Sequence, residues 1–358
     1  MRIIEINSLK GGEMLAKQIF NEEGRVLLNS GVELSPYLID RIREMGVQIV
    51  YVNDEISNDI IIEESLSERT KQESKHAIKE IVNKYCREGK TDNGAIMKSV
   101  DTVIYEIYSN KAVMINVAEI KASDNSIYSH SLNVCVLATI IGTQMGFNMM
   151  KLKEIATGAI LHDIGKIKIM SDKKLVSELK SKGELDAYIK QNHPKAGFDF
   201  LSKENFCSSY TKAGVLMHHE RNDGSGYPLK LKGKEIIEIG KLISICDTFS
   251  NMVFGSKTEG AKSLNEAVEY LYCMSDIHFD SEIVRKFTAN LAAYPNGSGV
   301  VLNTKEKGLV IRQNQSLPLR PIVKIIYDRD GNQAKVPYEI DLCKELTLFI
   351  EQSFEISL

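Results

Sequence analysis

The sequence lacks three features that define large classes of protein: paired cysteines, a long apolar run and a strong net charge. Its six cysteines show no CxxC spacing, which favours reduced thiols over a disulfide framework. No apolar run reaches about 18 residues, the length of a membrane span, and the N-terminus has no signal-peptide core. We therefore expect a cytoplasmic protein without a membrane span.

The charge balance argues against DNA as a partner. The formal net charge is −3, so no basic field favours nucleic acid binding. Apolar residues make up 43% and charged residues 26% of the chain, as in ordinary globular proteins. Because 358 residues exceed what one compact core usually holds, we expect two or more domains.

Apolar periodicity divides the chain into segments of different character. Alternation over residues 2–7 predicts a strand, and residues 34–45 have helical spacing, with Ser35 placed to cap the helix and Pro36 to begin it. The polar, charge-rich residues 63–90 predict a connecting helix. These patterns predict a small α/β module followed by a linker.

The rest of the chain reads as helix after helix and then as strands. Residues 95–293 contain few prolines and only short β-branched runs, whereas strand-like stretches separated by turns follow from Gly299. The predicted fold class is mainly α, with a small N-terminal α/β module and a short C-terminal β extension. The expected segments are 1–60 for the N-terminal module, 61–94 for the connecting helix, 95–293 for the helical domain and 294–358 for the extension.

Histidine is scarce, yet five of the seven histidines fall in the helical segment at notable positions, together with two aspartates in apolar stretches. A lone residue of this kind is more often a core side chain or a helix cap, and the adjacent pair His218–His219 alone fits an accidental surface pair equally well. A buried carboxylate, however, needs a partner. The set is His130, His162, Asp163, His193, His218, His219 and Asp247.

Imidazole and carboxylate groups together suit first-row divalent metals. A carboxylate has two oxygens and can therefore bridge two ions. Paired ions about 3.5–4 Å apart are a common device for hydrolysing phosphate esters, because they lower the pKa of a shared water to about 7 and clamp the phosphoryl oxygens. The set of residues therefore predicts a metal centre for phosphate chemistry.

The order of these residues, with the stretch DGSGYP at 223–228, resembles the HD-GYP family of bacterial cyclic di-GMP phosphodiesterases within the HD superfamily of metal-dependent phosphohydrolases. The resemblance runs from about Asp124 to Arg320, and the opening module is similar to one that often precedes such domains. It implies an HD-type helical domain with a regulatory N-terminal module. It also implies hydrolysis of cyclic di-GMP to linear pGpG and GMP with two divalent transition-metal ions. Iron or manganese is expected, and zinc, nickel and cobalt are not excluded.

The resemblance implies a role for each residue of the set. Asp163 would bridge the two ions. The other implied ligands are His130, His162 and Asp247 for one ion and His193, His218 and His219 for the second. Lys166 would reach a phosphate oxygen or protonate the departing alkoxide. The residues expected to contact substrate are Lys166, Asp223, Gly224, Gly226, Tyr227 and Lys257.

The loop at 223–228 leaves alternatives open. Tyr227 would either stack on a base or serve as plain packing, and Gly224 and Gly226 permit backbone angles closed to other residues. Three lysines after the loop either attract an anionic dinucleotide or form a solvated face. They are Lys230, Lys232 and Lys234. Through this loop the chain is expected to contact cyclic di-GMP synthases or other signalling proteins, and a homodimer is a further expectation.

The chain departs from the family pattern at two places. Ser126 stands where members with a third ion carry Glu, so two ions are expected. Ser250 stands where the family commonly has Asp, and residues 256–259, with Lys257, replace an Arg-containing stretch that grips phosphate. These departures keep two other functions open. One is a phosphodiesterase for another cyclic dinucleotide such as cyclic GMP-AMP, and the other is a sensing or protein-interaction module with little turnover.

Overall fold

Two compact units make up the chain in a computed structural model. The model describes residues 1–20, 25–62, 64–88, 93–109, 114–118, 126–179, 181–255, 260–314 and 317–353. One unit is rich in β-structure and discontinuous, comprising Met1–Glu64, Met114–Asn125 and Ala289–Leu358; the other is helical, comprising Ser65–Val113 and Ser126–Thr288. Within the described ranges, we find no helix with the length and apolar character needed to span a membrane.

The N-terminal part of the β-rich unit contains short strands and one helix. The strands are β1 Arg2–Glu5, β2 Met14–Leu15, β3 Ile19–Phe20, β4 Val26–Leu28 and β5 Ile49–Asn53. They form an antiparallel sheet in the order β1-β5-β2 and a separate β3-β4 pair. Helix α1, Pro36–Glu44, begins as predicted, because the Ser35 hydroxyl accepts a hydrogen bond from the Leu38 N–H at 3.3 Å. Ile4, Leu15 and Ile39 are buried in one apolar core in this part of the unit.

The remainder of the β-rich unit is a larger sheet. Its strands are β6 Ile115–Asn116, β7 Leu291–Ala292, β8 Gly299–Leu302, β9 Lys307–Arg312, β10 Ile322–Tyr327, β11 Gln333–Asp341 and β12 Ile350–Ser353. Strands β6 and β7 pair in parallel, and the others form an antiparallel sheet in the order β11-β10-β9-β8-β12. Val300, Val310 and Val323 lie in its apolar core. The predicted C-terminal β extension is confirmed.

The helical unit confirms the mainly helical fold class. Its helices are α2 Glu68–Glu88, α3 Asn93–Ser109, α4 Ile127–Gln144, α5 Met149–Leu161, α6 Ile164–Ser171, α7 Lys173–Glu178, α8 Lys182–Leu201, α9 Ser209–Met217, α10 Glu238–Phe254, α11 Leu264–Cys273 and α12 Ser281–Ala289. Helix α5 ends at Leu161, directly before His162 and Asp163, and α9 ends at Met217, directly before His218. These three candidate site residues therefore lie at helix ends, which periodicity does not locate to the residue.

Helices α6 and α8 touch through their backbones at Gly165. A Cβ atom built on Gly165 would lie 2.0 Å from the carbonyl oxygen of His193 and 2.6 Å from the nitrogen of Gly197. Only glycine permits so close an approach. The contact brings the start of α6, beside Asp163, against the middle of α8, where His193 lies.

We expect Gly165→Ala to lower the free energy of unfolding by about 3 kcal/mol, because the two helices must separate. Gly183→Ala is the matched control in α8, since its Cβ would meet only the Ser181 hydroxyl at 4.0 Å. That change should alter stability by about 1 kcal/mol or less, towards greater stability. Urea denaturation of the three proteins measures both effects. Equal midpoints for Gly165→Ala and wild type would contradict the close approach.

Candidate metal centre

The structure brings together all seven residues of the predicted set. His130 lies in the first turn of α4, His162 and Asp163 lie between α5 and α6, and His218 follows α9. Their ligand atoms fall into overlapping groups in which all atoms lie within 4.8 Å of one another. The groups are His193, His218 and His219; His130, His162 and Asp247; and His162, Asp163 and His218.

Backbone carbonyl groups orient three of the imidazole rings. In each ring Nδ1 lies in hydrogen-bond range of a carbonyl oxygen three or four residues earlier in the chain. The pairs are His162 with Ala159 at 2.7 Å, His193 with Ile189 at 2.9 Å and His218 with Val215 at 2.6 Å. A carbonyl only accepts, so Nδ1 carries the proton and Nε2 keeps its lone pair. This is the tautomer in which Nε2 binds a metal.

The Nε2 atoms of three histidines face one another. Nε2 of His193 lies 3.2 Å from Nε2 of His218 and 3.1 Å from Nε2 of His219. Burial lowers the pKa of His193, lowers that of His218 well below its ordinary value, and lowers the pKa of His219 to about 3. Because Nδ1 carries the proton in His193 and His218, their Nε2 lone pairs oppose each other, whereas the single proton of a neutral His219 is not fixed by a carbonyl group. A cation between the rings would separate the opposed lone pairs, so the arrangement fits a metal ion.

The two oxygens of the Asp163 carboxylate face different histidines. Oδ1 lies 3.3 Å from Nε2 of His193, whereas Oδ2 lies 3.5 Å from Nε2 of His162 and 3.8 Å from that of His130. Asp163 Oδ1 and His162 Nε2 are buried and have no hydrogen-bond partner among the described residues. Burial alone would raise the pKa of Asp163, but Lys166 and the surrounding histidines hold it well below its usual value. An ionised carboxylate between two histidine groups suits a bridging ligand.

Asp247 is held by side chains from its own helix and from α4. Its Oδ1 lies 3.0 Å from Nε2 of His130 and accepts a hydrogen bond from Asn251 Nδ2 at 2.7 Å. Burial would raise its pKa, but the nearby imidazoles of His130 and His162, whose Nε2 atoms lie 3.0 and 3.6 Å from Oδ1, lower it well below the usual value. Asp247 therefore offers a charged oxygen beside His130, as a metal ligand requires.

Ser250 and Asn251 support this edge of the centre, and the sequence analysis missed that role. Ser250 is buried, and its hydroxyl lies 3.2 Å from Nδ1 of His130. From the sequence, Ser250 is expected to alter substrate binding. The spacing of 247, 250 and 251 on one helical face is the signal that points to a shared site.

Ser126 is engaged as a helix cap. Its hydroxyl accepts a hydrogen bond from the Ser129 N–H at 3.2 Å at the start of α4. A hydroxyl oxygen is also a weaker metal ligand than a carboxylate. Both facts support the expectation that this position holds no third ion.

Lys166 lies on the Asp163 carboxylate. Its Nζ is 2.6 Å from Oδ2 of Asp163. Burial alone would lower the pKa of this ammonium, but Asp163 raises it above the ordinary value. A lysine that holds its proton so firmly suits charge compensation better than proton donation.

The loop residues predicted to contact substrate lie at one side of the centre. The Tyr227 ring stacks on His219, with centroids 4.7 Å apart and planes at 25°. Asp223 shapes the loop by accepting hydrogen bonds from the Ser225 N–H and hydroxyl, at 2.9 and 2.7 Å. Gly224 has a positive φ of +83°. Lys257 lies outside the described residues. The lysines after the loop are exposed, as on a solvated face: Lys230, Lys232 and Lys234.

Arg221 is a further, half-buried residue of the site region whose role the sequence alone does not indicate. Its guanidinium donates to the Glu220 carbonyl at 3.0 Å and to the Ser244 hydroxyl, and it lies over the Phe279 ring at 5.2 Å. Burial lowers the pKa of this guanidinium. Through these contacts Arg221 stabilises the chain directly after His218 and His219.

Known proteins resemble this chain in sequence and fold. The model of the HD domain family matches residues 108–283, and that of the KOW domain associated with HD domain matches residues 299–357. Cyclic di-GMP phosphodiesterase PA4108 of Pseudomonas aeruginosa is 25% identical over 66% of this chain and 56% of its own length. A cyclic di-GMP phosphodiesterase of Thermotoga maritima is 34% identical over 46% of this chain and 44% of its own length. The chain therefore spans about half the length of the curated relatives that it matches.

Two other proteins bear on specificity and on fold. The 3'3'-cGAMP-specific phosphodiesterase 1 of Vibrio cholerae is 27% identical over 53% of this chain and 43% of its own length. The solved structure of Bd1817, a HDG"Y"P protein from Bdellovibrio bacteriovorus, is 15% identical with a TM-score of 0.51, over 80% of this chain and 97% of that one. This last likeness shows a shared fold.

Residues 108–283 match the HD domain, and the helices of this segment bring together the His and Asp side chains of the candidate metal centre. Together with the Gly-Tyr-Pro loop that follows His218 and His219, the family match, the relatives and the structural likeness support the HD-GYP family. The HD domain family implies a divalent metal cofactor, and the opposed Nε2 atoms beside two ionised carboxylates fit one.

We expect the metal-free protein to lose stability as the pH falls below about 6.5. His193, His218 and His219 have lowered pKa values in the folded state, so the unfolded chain binds more protons below that pH. His219, with a pKa of about 3, should alone cost about 2 kcal/mol between pH 7.5 and pH 5. The pKa of His162 is raised, so its contribution is present below pH 6.5 and is lost above it, which opposes the trend.

Urea denaturation of chelator-treated protein at both pH values measures this loss. His219→Gln should reduce the difference between the two pH values, whereas His76→Gln, at an exposed position on α2, should leave it unchanged. A metal-free protein as stable at pH 5 as at pH 7.5 would contradict the buried neutral histidines.

Proposed function

We propose that this chain is a divalent-metal-dependent phosphodiesterase that hydrolyses cyclic di-GMP to linear pGpG, and further to GMP, in bacterial second-messenger signalling. The observation that carries the proposal is the cluster of the Nε2 atoms of His193, His218 and His219, 3.1 and 3.2 Å apart, beside the ionised carboxylates of Asp163 and Asp247. The names of the relatives support the cyclic dinucleotide as substrate. Family membership supports the reaction class.

Two metal ions fit the ligand groups better than one. Asp163 would bridge, with His130, His162 and Asp247 on one side and His193, His218 and His219 on the other. The support is that the two Asp163 oxygens face different histidines. Mixed imidazole and carboxylate ligands suit iron or manganese, and zinc, nickel and cobalt are also compatible.

Bound divalent ions would lower the pKa of a water molecule and polarise phosphoryl oxygens. Hydrolysis adds the water oxygen to phosphorus and breaks the bond to a ribose 3'-oxygen, which leaves as a hydroxyl with one proton from water. Asp163 would hold its charge at the centre because Lys166 compensates it at 2.6 Å. When phosphate enters, the same ammonium lies close enough to the centre to neutralise a phosphate oxygen.

Cyclic GMP-AMP is the second candidate substrate. It is favoured by the 27% identity to a 3'3'-cGAMP-specific enzyme, close to the 25% identity to a cyclic di-GMP enzyme. The two dinucleotides share their phosphodiester ring and differ in one base. The metal centre would act on both, so base contacts decide between them.

We also propose that the Gly-Tyr-Pro loop contacts cyclic di-GMP synthases or other signalling proteins and that the chain forms a homodimer. Exposed apolar side chains beside the loop, Leu229 and Ile277, support a protein contact there. Residues 1–60 would regulate the helical segment 95–293 through the connecting residues 61–94. The separate apolar core around Ile4 and Ile39 supports an N-terminal module.

Asp163→Asn and Lys166→Ala test two proposed roles separately: metal bridging by Asp163 and charge compensation by Lys166. Protein purified without oxygen should contain close to two metal ions per chain by elemental analysis. Asp163→Asn removes the bridging charge, so both metal content and hydrolysis should fall, the latter by several orders of magnitude. Lys166→Ala should keep both ions while kcat falls by about 10²–10⁴, the range for one catalytic group.

Lys168→Ala is the matched control, because it removes the same charge from the same helix, away from Asp163. It should leave metal content and kcat at wild-type values. If Asp163→Asn keeps both its metals and its activity, the bridging assignment is wrong.

Assays with a panel of cyclic dinucleotides should give the highest kcat/KM for cyclic di-GMP, with linear pGpG appearing before GMP. A higher kcat/KM for 3'3'-cyclic GMP-AMP would establish the second candidate. If two metals are bound and the dinucleotide binds without cleavage, the chain is a sensing module, and the enzymatic proposal fails.

A further inference from the structure

Glu220, the residue after the histidine pair, is a buried acid whose carboxylate accepts two backbone hydrogen bonds. Its side chain is shielded, with 2% of the residue exposed. One carboxylate oxygen accepts the N–H of Leu229 at 2.6 Å, and the other accepts the N–H of Leu231 at 2.9 Å. Hydrogen bonds to a carboxylate are stronger than those to neutral acceptors. Glu220 thus holds the chain where it leaves the Gly-Tyr-Pro loop.

The loop folds back onto the backbone that carries Glu220. The Tyr227 N–H donates to the His219 carbonyl at 3.2 Å. A Cβ built on Gly226 would lie 2.4 Å from the nitrogen of Arg221 and 2.5 Å from Cα of Glu220. The loop therefore lies in direct contact with residues 219–221, and Glu220 closes that contact at the exit.

The fold-back places the Tyr227 ring on His219, and His219 differs from the other histidines of the centre. His162, His193 and His218 are oriented by carbonyl groups through Nδ1. Among the described residues His219 has no such acceptor at Nδ1, because Oδ2 of Asp247 lies 3.9 Å away, beyond hydrogen-bond range. The Tyr227 ring stacks on His219 at a centroid distance of 4.7 Å and, with the His218 ring at 4.2 Å, restricts the plane of His219.

We infer that Glu220 is a positioning residue for a metal ligand: its carboxylate anchors the Gly-Tyr-Pro loop so that Tyr227 holds His219 with Nε2 towards His193. The inference rests on the proposed metal-dependent function and deepens it. In this chain the loop acts as a clamp on the His193, His218 and His219 group. The ligands on the other side, around His130 and Asp247, do not depend on it.

Titration of chelator-stripped protein with Mn²⁺ alone tests the clamp, read by calorimetry or chelator competition. Glu220→Gln turns one acceptor into an NH₂ group that opposes a backbone N–H. We expect one of the two Mn²⁺ sites to weaken by about 10–100-fold, the size of effect for outer-shell partners, while the other keeps its affinity. With cyclic di-GMP, kcat should fall more than KM changes.

Glu235→Gln is the matched control. Glu235 also accepts a backbone N–H, from Lys232 at 2.8 Å, but it is exposed and lies after the loop. It should bind two Mn²⁺ ions and turn over as the wild type does. Circular dichroism and urea midpoints show whether each variant is folded.

Variants of Tyr227 keep the test decisive if Glu220→Gln fails to fold. Tyr227→Phe retains the ring and should bind both ions as the wild type does, whereas Tyr227→Leu loses the stack and should weaken the same site as Glu220→Gln. Glu220→Gln and Tyr227→Leu combined should be no worse than either change alone, because both act through His219.

Two outcomes would overturn the inference. The clamp alone is overturned if the wild type binds two Mn²⁺ ions and a folded Glu220→Gln or Tyr227→Leu variant binds both with unchanged affinities. A wild type that binds no Mn²⁺ overturns the proposed function and the clamp together.

Discussion

The close approach of three buried imidazole Nε2 atoms is the constraint on which the candidate metal centre depends. Nε2 of His193 faces the corresponding atoms of His218 and His219 at 3.2 and 3.1 Å, in a setting where burial keeps all three rings neutral. Such an arrangement is unfavourable by itself and becomes favourable around a cation. The ionised oxygens of Asp163 and Asp247 supply the negative charge that draws the cation in. The remaining contacts keep these groups from relaxing away from one another.

Most of those contacts are made by the main chain. Carbonyl groups orient His162, His193 and His218, and the backbones of α6 and α8 meet at Gly165. A carbonyl is present whatever side chain its residue carries, so such orientation survives wide change in the surrounding sequence.

The sequence allowed the helical domain, the strands at both ends and the grouping of the seven His and Asp residues to be predicted. Periodicity and residue type carry that information locally. Three features depended on contacts between distant positions: the support of His130 by Ser250, the anchoring of the loop by Glu220, and the break at His162 and Asp163. The sequence also did not indicate that residues 1–64 and 289–358 belong to one unit. No local pattern shows that Ile60 lies with Leu309 and Ile326 in one apolar cluster.

That union has a consequence for the order in which the protein is made. Ile3 donates a backbone hydrogen bond to the Gly297 carbonyl at 3.1 Å, and Lys324 Nζ lies 2.8 Å from Asp59, so the N-terminal segment of this unit contacts residues that are translated much later. During synthesis the intervening helical segment leaves the ribosome before Leu309 and Ile326 can cover Ile60. Synthesis that stops after the helices therefore leaves the β-rich unit incomplete, with an exposed apolar surface that chaperones and proteases recognise.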